Sequence, residues 1–126
     1  METRTLRFGT IKIISKNLIH FCYNKGIEVG KNEMREIIQI LVDYVAVNGK
    51  IKLVLEIPPT TVTNLEAMTY LNENKYKNEN TIAVALVTKA IAQRLNSKYY
   101  HTRVEVGVPT QFFKSVKEAF DWLGEV

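Results

Sequence analysis

His20 and Cys22 are the first residues whose types could do chemistry together, because positions two apart on a strand place their side chains on one face. Such a pair could supply two ligands of a zinc site, or a thiolate activated by a base. The other histidine, His101, is far away in sequence. Since cysteine is among the most buried residue types, we favour core packing for both side chains. We therefore predict no catalytic residue, no metal and no cofactor.

A second group of candidate residues lies where predicted strands pass into helices. It consists of Thr60, Thr61, Thr63, Thr88 and Lys89. Ligands of open α/β sheets bind at the carboxyl ends of the strands, and helix N-termini attract anions. We therefore expect these residues to form a rim that binds a partner or an anion. The structural alternative is that Thr88 only caps a helix and that Lys89 is a solvated surface residue.

The elements that must position these residues follow from hydrophobic periodicity. The pattern predicts strands over Thr5–Ile14 (bent at Gly9), Leu18–Tyr23, Ile51–Ile57, Thr81–Val87 and Val108–Phe113, and helices over Lys31–Asn48, after Thr63, over Lys89–Tyr99 and after Ser115. Strands that alternate with helices indicate parallel pairing with helical crossovers. We predict one α/β domain over residues 1–126. It has a mixed, mostly parallel sheet of about five strands, an N-terminal antiparallel hairpin and four helices.

Capping residues set the expected helix starts. Asn32 is a candidate N-cap for the first long helix, and Gly49 supplies its left-handed stop. A Thr-x-x-Glu capping box opens the next helix at Thr63, and a Ser-x-x-Glu box opens the last one at Ser115. The last helix then carries Val116, Ala119, Phe120 and Leu123 on one stripe, and we expect Phe120 and Trp122 to anchor it.

Composition excludes several function classes. The formal net charge is +4, from 17 basic and 13 acidic residues, and the lysines are spread along the chain rather than clustered, so we expect no nucleic-acid binding. The single cysteine forms no internal disulfide, which suits a reducing compartment. We expect no signal peptide, no membrane span and a cytoplasmic location. No glycines have the G-x-G spacing of a dinucleotide site.

The chain resembles the sulfate-transporter and anti-sigma-factor-antagonist (STAS) fold, and small stand-alone bacterial STAS-like proteins in particular. The matching strings cover nearly the whole chain: the hairpin through Cys22, NEMREIIQILVDYV, IKLVLEI, LEAM, AVALVTKAIAQRL and PTQFFKSVKEAFDWL. Anti-sigma antagonists carry an Asp-Ser-Ser-Gly-like string with a phosphorylated serine where the second helix begins. This chain instead has residues 58–63, PPTTVT, and Glu56 stands near the acidic residue of the relatives. Threonines could accept phosphate there, although the prolines and the capping box explain the same residues structurally.

The resemblance implies a non-enzymatic binding or regulatory module that acts through protein–protein contacts. We expect a protein partner, with a homodimer among the candidates. The alternative is a small-molecule or lipid carrier, because STAS-like folds resemble lipid-carrying SEC14-type domains, and an apolar pocket between helix and sheet could hold an acyl chain. An enzyme would instead require a pocket with several convergent polar groups of perturbed pKa.

Overall fold

The fold is built on a mixed β-sheet, seen in a computed structural model that describes residues 2–73, 81–88 and 109–126. The described strands are β1 (Glu2–Leu6), β2 (Gly9–Ser15), β3 (Leu18–Tyr23), β4 (Glu28–Val29), β5 (Ile51–Glu56), β6 (Val62–Thr63), β7 (Thr81–Val87) and β8 (Thr110–Phe113). The described helices are α1 (Lys31–Asn48), α2 (Leu65–Glu73) and α3 (Val116–Leu123). The helix predicted over Lys89–Tyr99 lies outside the described residues.

The main sheet has six strands in the order β1-β2-β3-β5-β7-β8. β1 pairs with β2 and β2 with β3 in antiparallel fashion. The pairs β3–β5, β5–β7 and β7–β8 are parallel. The predicted mixed sheet with an N-terminal antiparallel hairpin is therefore confirmed. The predicted strand count of about five was one too low, and the described residues contain three helices rather than four.

The extra strand arises at Gly9, where the periodicity predicts one bent strand. The chain instead reverses between Leu6 and Gly9, which pair with each other, so that β1 and β2 form a hairpin. A Cβ atom at Gly9 would lie 2.5 Å from the carbonyl oxygen of Cys22 on β3. Glycine is therefore required because the backbones of β2 and β3 approach too closely for a side chain.

Each face of the sheet has its own core. Alternation along β3 sends Ile19 and Phe21 to the face covered by α1, where they pack with Ile37 and Ile38. On the opposite face, α3 packs Ala119 and Leu123 over β5 and β7; the other buried members of this core are Val54, Ala83, Ala85 and Val87. The cover by α3 accounts for the buried residues Ala83, Ala85 and Val87, which alternate along β7.

Helix boundaries confirm some of the predicted caps and correct others. Helix α1 has the predicted bounds, but its N-cap is Gly30 rather than Asn32, and the Glu33 carboxylate accepts a hydrogen bond of 2.8 Å from the Gly30 N–H. Gly49 ends α1 at φ +88°, as predicted. Ser115 caps α3 by accepting a 3.2 Å hydrogen bond from the Glu118 N–H.

The capping box predicted at Thr63 was wrong by one residue. Asn64 is the residue that caps α2, because its Oδ1 accepts a hydrogen bond of 2.9 Å from the Ala67 N–H. Thr63 instead belongs to β6, which pairs in parallel with β4 as a separate two-stranded sheet. That short pairing, invisible to periodicity, shifted the helix start.

Candidate functional site

A cleft opens at the carboxyl ends of β3, β5 and β7, beside the N-terminus of α3. Its volume is about 570 Å³, within the range of about 300–1,000 Å³ typical of ligand sites. Its described lining is Cys22, Tyr23, Asn24, Lys25, Glu56, Ile57, Pro58, Pro59, Val87, Thr88, Lys114, Ser115 and Val116. We call this feature the rim cleft.

Three polar side chains meet where β3 and β5 end. Cys22 is in register with Glu56, and His20 with Val54, so all three polar groups lie on the α3 face of the sheet. The Nε2 atom of His20 lies 2.9 Å from Oε1 of Glu56. His20 itself is buried, with the ring of Phe120 edge-on at 5.8 Å. An ionised carboxylate can only accept, so in this pair the proton is on Nε2 when Glu56 is charged.

In this geometry the side chain of His20 contacts Glu56 and does not act as a base for Cys22. The pKa of the Cys22 thiol is raised, first by burial and then by the negative charge and hydrogen bonding of Glu56, while the charge of Lys12 acts in the opposite direction. A reactive cysteine needs a lowered pKa. The shared strand face predicted for His20 and Cys22 is present, but its electrostatics keep the thiol protonated.

Thr88 is the predicted rim residue that the structure brings into the cleft. It is buried directly after β7, and its N–H donates a hydrogen bond of 3.0 Å to the carbonyl of Phe113. Its side chain therefore lies where β7 and β8 both end. The helix that Thr88 is predicted to cap, and Lys89 with it, lie outside the described residues.

The other three predicted rim residues lie beside the cleft rather than in its described lining. Thr61 is only 2% exposed, and its hydroxyl donates a hydrogen bond of 2.6 Å to the carbonyl of Asn24. Thr60 is exposed, and Thr63 is half-buried in β6. These three threonines thus differ in exposure.

Sequence reasoning missed most of the cleft lining on the β3 side. The hairpin is predicted, but the parallel pairing of β3 with β5 is what carries Cys22, Asn24 and Lys25 to the same edge as Glu56. One signal was available: Asn24 and Gly26 are typical turn residues, and they mark the point where β3 ends.

An apolar patch lies next to the rim cleft, in the segment that joins β5 to α2. Val62 is 58% exposed and Leu65 is 70% exposed, although both are large hydrophobic side chains. Pro59 and Thr60 are exposed in the same segment. We call these four residues the 59–65 patch; such exposure is typical of interaction surfaces.

A smaller cavity lies between α1 and the antiparallel strands. Its volume is about 270 Å³, and its described lining is Arg4, Ile11, Ile13, Ile19, Ile40, Leu41, Asp43 and Tyr44. The walls are largely aliphatic, and the only cation among these residues is Arg4. This is the kind of helix–sheet pocket that the carrier alternative requires.

Neither a metal cluster nor a membrane-spanning helix occurs in the described part of the chain. Residues 2–73, 81–88 and 109–126 contain no group of three or more His, Cys, Asp or Glu side chains that could hold a metal ion. Within the same ranges, no helix is long and apolar enough to cross a membrane.

Comparisons with known proteins place the fold but not the activity. A family described as a domain of unknown function (DUF7793) matches residues 12–126. A solved structure of the anti-sigma factor antagonist SpoIIAA in its unphosphorylated form aligns with a TM-score of 0.59 and 7% sequence identity, covering 94% of this chain and 99% of that one. No curated protein matches the sequence. At this identity the likeness to SpoIIAA shows a shared fold alone.

Proposed function

We propose that this chain, which belongs to the family described as a domain of unknown function (DUF7793), is a non-enzymatic, STAS-like module. In this proposal it regulates another protein by binding it. The observation that carries the proposal is the shared fold with an anti-sigma factor antagonist over 94% of the chain. Fold alone does not determine function, so the argument also needs a surface suited to a partner.

The 59–65 patch is that surface. Val62 and Leu65 are exposed to an extent that gives no benefit to the isolated chain, because exposed apolar area costs about 25 cal/mol per Å² relative to burial. A partner that covered them would recover this free energy. The neighbouring polar groups, the paired side chains of Asn64 and Glu28, would form the polar edge of such an interface.

The test is comparative affinity capture from the native host. The wild-type chain, a Val62→Ser/Leu65→Ser variant and a Val47→Ser variant serve as baits. Val47 is a matched control because it is 82% exposed but lies near the end of α1, away from the patch. We expect a partner recovered equally by wild type and Val47→Ser, and at least about tenfold less by the patch variant, since losing two apolar contacts costs about 1.4 kcal/mol or more. Equal recovery by all three baits would contradict the proposal.

Regulation of this surface by phosphate would act at Thr60. The Thr61 hydroxyl is buried and donates to the Asn24 carbonyl, whereas Thr60 is exposed. A phosphate adds about two negative charges, which beside exposed apolar side chains would weaken docking. Intact-mass analysis of protein from its native host, with Thr60→Val as the control, tests this step. A phosphorylated species that persists in Thr60→Val would exclude Thr60 as the acceptor.

The carrier function is the second candidate, and the cavity under α1 is the observation that favours it. Its volume of about 270 Å³ is just below the range of about 300–1,000 Å³ usual for small-molecule sites, so a complete lipid would have to expand it. Native mass spectrometry separates the two functions. A lipid adduct that is lost in Ile40→Trp, a change that fills the cavity, would favour the carrier. An apo mass, together with a protein partner recovered by affinity capture, supports the binding module.

A further inference from the structure

The rim cleft contains a carboxylate that a histidine holds in place and with which no lysine or arginine of the described residues pairs. Among the described residues, Glu56 forms an ion-pair contact only with His20, at 2.9 Å between Oε1 and Nε2. The Glu56 side chain is 37% exposed, so part of its carboxylate faces the cleft that it lines. In a chain of net charge +4, a half-buried carboxylate that pairs with no lysine or arginine of the described ranges is an acceptor that an external cation can reach.

The rest of the cleft suits the stem that would carry such a cation. Ile57, Pro58, Val87 and Val116 give the lining an aliphatic wall beside Glu56. Lysine and arginine bury their methylene stems along apolar surface while the charged head finds a polar partner. A cleft that joins an apolar wall to a fixed carboxylate therefore matches a long cationic side chain better than it matches a bare ion.

Two lysines at the same cleft indicate which charges a ligand should carry next to its cationic group. Lys25 and Lys114 line the cleft and are both exposed, in contrast to the partly buried Glu56. Both lysines would repel a ligand that carried only positive charge. A peptide segment with one basic side chain and acidic neighbours would place its basic head on Glu56 and its carboxylates near the lysines.

We propose that the rim cleft receives a lysine or arginine side chain from an acidic segment of a protein partner, with Glu56 as the acceptor. This inference rests on the proposed protein-binding function and names the chemistry of the partner. The carboxylate and the cationic head form a charge-assisted hydrogen bond, which is stronger than a neutral one. The raised pKa of Cys22 agrees with a negative potential at this end of the cleft, since the charge of Glu56 contributes to it.

His20 is a positioning residue for this site. It is buried between the sheet and Phe120, so its ring has little freedom, and its Nε2 fixes one carboxylate oxygen of Glu56. This contact restricts the rotation of the carboxylate. Glutamine can place its amide nitrogen near the position of Nε2, whereas leucine fills the volume without a donor.

Synthetic peptides test the proposal directly, because it specifies the chemistry of the ligand rather than one particular protein. The probe is Ac-Glu-Ala-Lys-Ala-Glu-NH₂, and its matched control replaces lysine by norleucine, which keeps the stem and removes the charge. A third peptide keeps lysine and replaces both glutamates by glutamine. Binding is followed by calorimetry and by amide NMR shifts in residues 22–25, 56–58 and 114–116. We expect the lysine probe to bind about tenfold or more tightly than the norleucine peptide, and the glutamine peptide to be intermediate.

Variants of the protein test which side chains cause the preference for the lysine probe. Glu56→Gln should weaken binding of the lysine probe about tenfold and leave binding of the norleucine peptide unchanged. The control is Glu125→Gln, which removes an exposed carboxylate and should change the affinity for neither peptide. His20→Leu should weaken binding of the lysine probe, whereas His20→Gln should bind it about as tightly as the wild type. Lys25→Gln/Lys114→Gln should reduce the advantage of the lysine probe over its glutamine analogue. Free n-butylamine should bind much more weakly than the peptide, because it lacks the flanking acids.

Clear results would overturn the proposal. Equal affinity for the lysine and norleucine peptides excludes a cation site, as does the absence of any NMR shift at millimolar probe. Tighter binding of all acidic peptides by Glu56→Gln would identify an anion site instead. The test is separate from that of the proposed function. A partner captured through the 59–65 patch but indifferent to Glu56→Gln would leave the binding function standing and remove only this inference.

Discussion

At the scale of single residues, two adjacent threonines of the rim, Thr60 and Thr61, lie in different environments. The Thr61 hydroxyl donates to the Asn24 carbonyl at 2.6 Å and is buried, while Thr60 is exposed to solvent. Thr61→Val should therefore lower the free energy of unfolding by about 0.5–1.5 kcal/mol, because it removes the hydrogen bond that the buried hydroxyl donates. Thr60→Val should stay within about 0.5 kcal/mol. Urea unfolding of both variants checks this, and equal effects would contradict the assignment.

The reactivity of Cys22 reports on the charge of Glu56. Burial and Glu56 both raise the pKa of the thiol, and Lys12 lowers it. Glu56→Gln should therefore shift the pH–rate profile of alkylation by iodoacetamide to lower pH, because only the thiolate reacts. Lys12→Gln should shift the profile to higher pH. Shifts in the same direction for both variants would show that packing changes, rather than charge, control the thiol.

What could be predicted from the sequence at this scale was the face of each strand residue. Alternation placed His20 and Cys22 together on β3, and the structure keeps them there. The pairing of His20 with Glu56 could not be predicted, because it joins positions 36 residues apart and depends on the register of β3 against β5. Periodicity fixes the face of a side chain, but not the neighbour across the strand.

At the scale of elements, helix ends were harder to predict than helix interiors. The interior of α1 follows its apolar period, and its bounds match the prediction. Its start depends on a side chain inside the helix, Glu33, that reaches back to the Gly30 N–H at 2.8 Å. The start of α2 depends on β6, whose pairing partner β4 is distant in sequence. A capping hydrogen bond joins residues close in sequence, but the strand pairing that competes with it joins residues far apart.

The start of α1 gives a prediction about acid stability. The pKa of Glu33 is lowered from its ordinary value of 4.5, first by the hydrogen bond from Gly30 and then by Arg7. A lowered pKa means that this stabilisation is present above about pH 4.5 and is lost as the pH falls through the pKa of the folded state. Glu33→Gln should therefore reduce the loss of stability below pH 4.5. Glu36→Gln is the control: Glu36 also contacts Arg7, at 2.7 Å, but caps nothing. Thermal unfolding measured across this pH range checks the difference.

The last helix shows why a stripe of residues does not identify its anchor. Phe120 and Trp122 are the expected anchors of α3, yet both are half-buried, and Ala119 and Leu123 are the residues that are fully buried. Phe120 packs on His20 and Trp122 on Phe113, at the margin of the core. The side chains of Ala119 and Leu123 lie directly over β5 and β7, whereas the two aromatic rings lie beside this contact.

At the scale of the whole molecule, one sheet separates two cores that do not share side chains. The core under α1 and α2 uses Phe21 and Ile37, and the core under α3 uses Val54 and Leu123. The mixed sheet and the alternation of its parallel strands with helices could be predicted from the sequence, but the β1–β2 hairpin and the short strands β4 and β6 could not. The rim cleft could not, because it forms only when β3, β5 and β7, from distant parts of the chain, end side by side next to the start of α3.

The division into two cores predicts how core mutations combine. Ile37→Ala and Leu123→Ala should each lower the free energy of unfolding by about 2–5 kcal/mol, because both delete buried aliphatic groups. The two side chains lie on opposite faces of the sheet, without common neighbours in either core. Their effects in the double variant should therefore add to within about 0.5 kcal/mol. Fluorescence of Trp122, which packs beside the α3 core, and far-ultraviolet circular dichroism should follow one urea transition in every variant. If Leu123→Ala released the Trp122 signal before the rest of the chain unfolded, the cores would be separate cooperative units, and the sheet would not couple them.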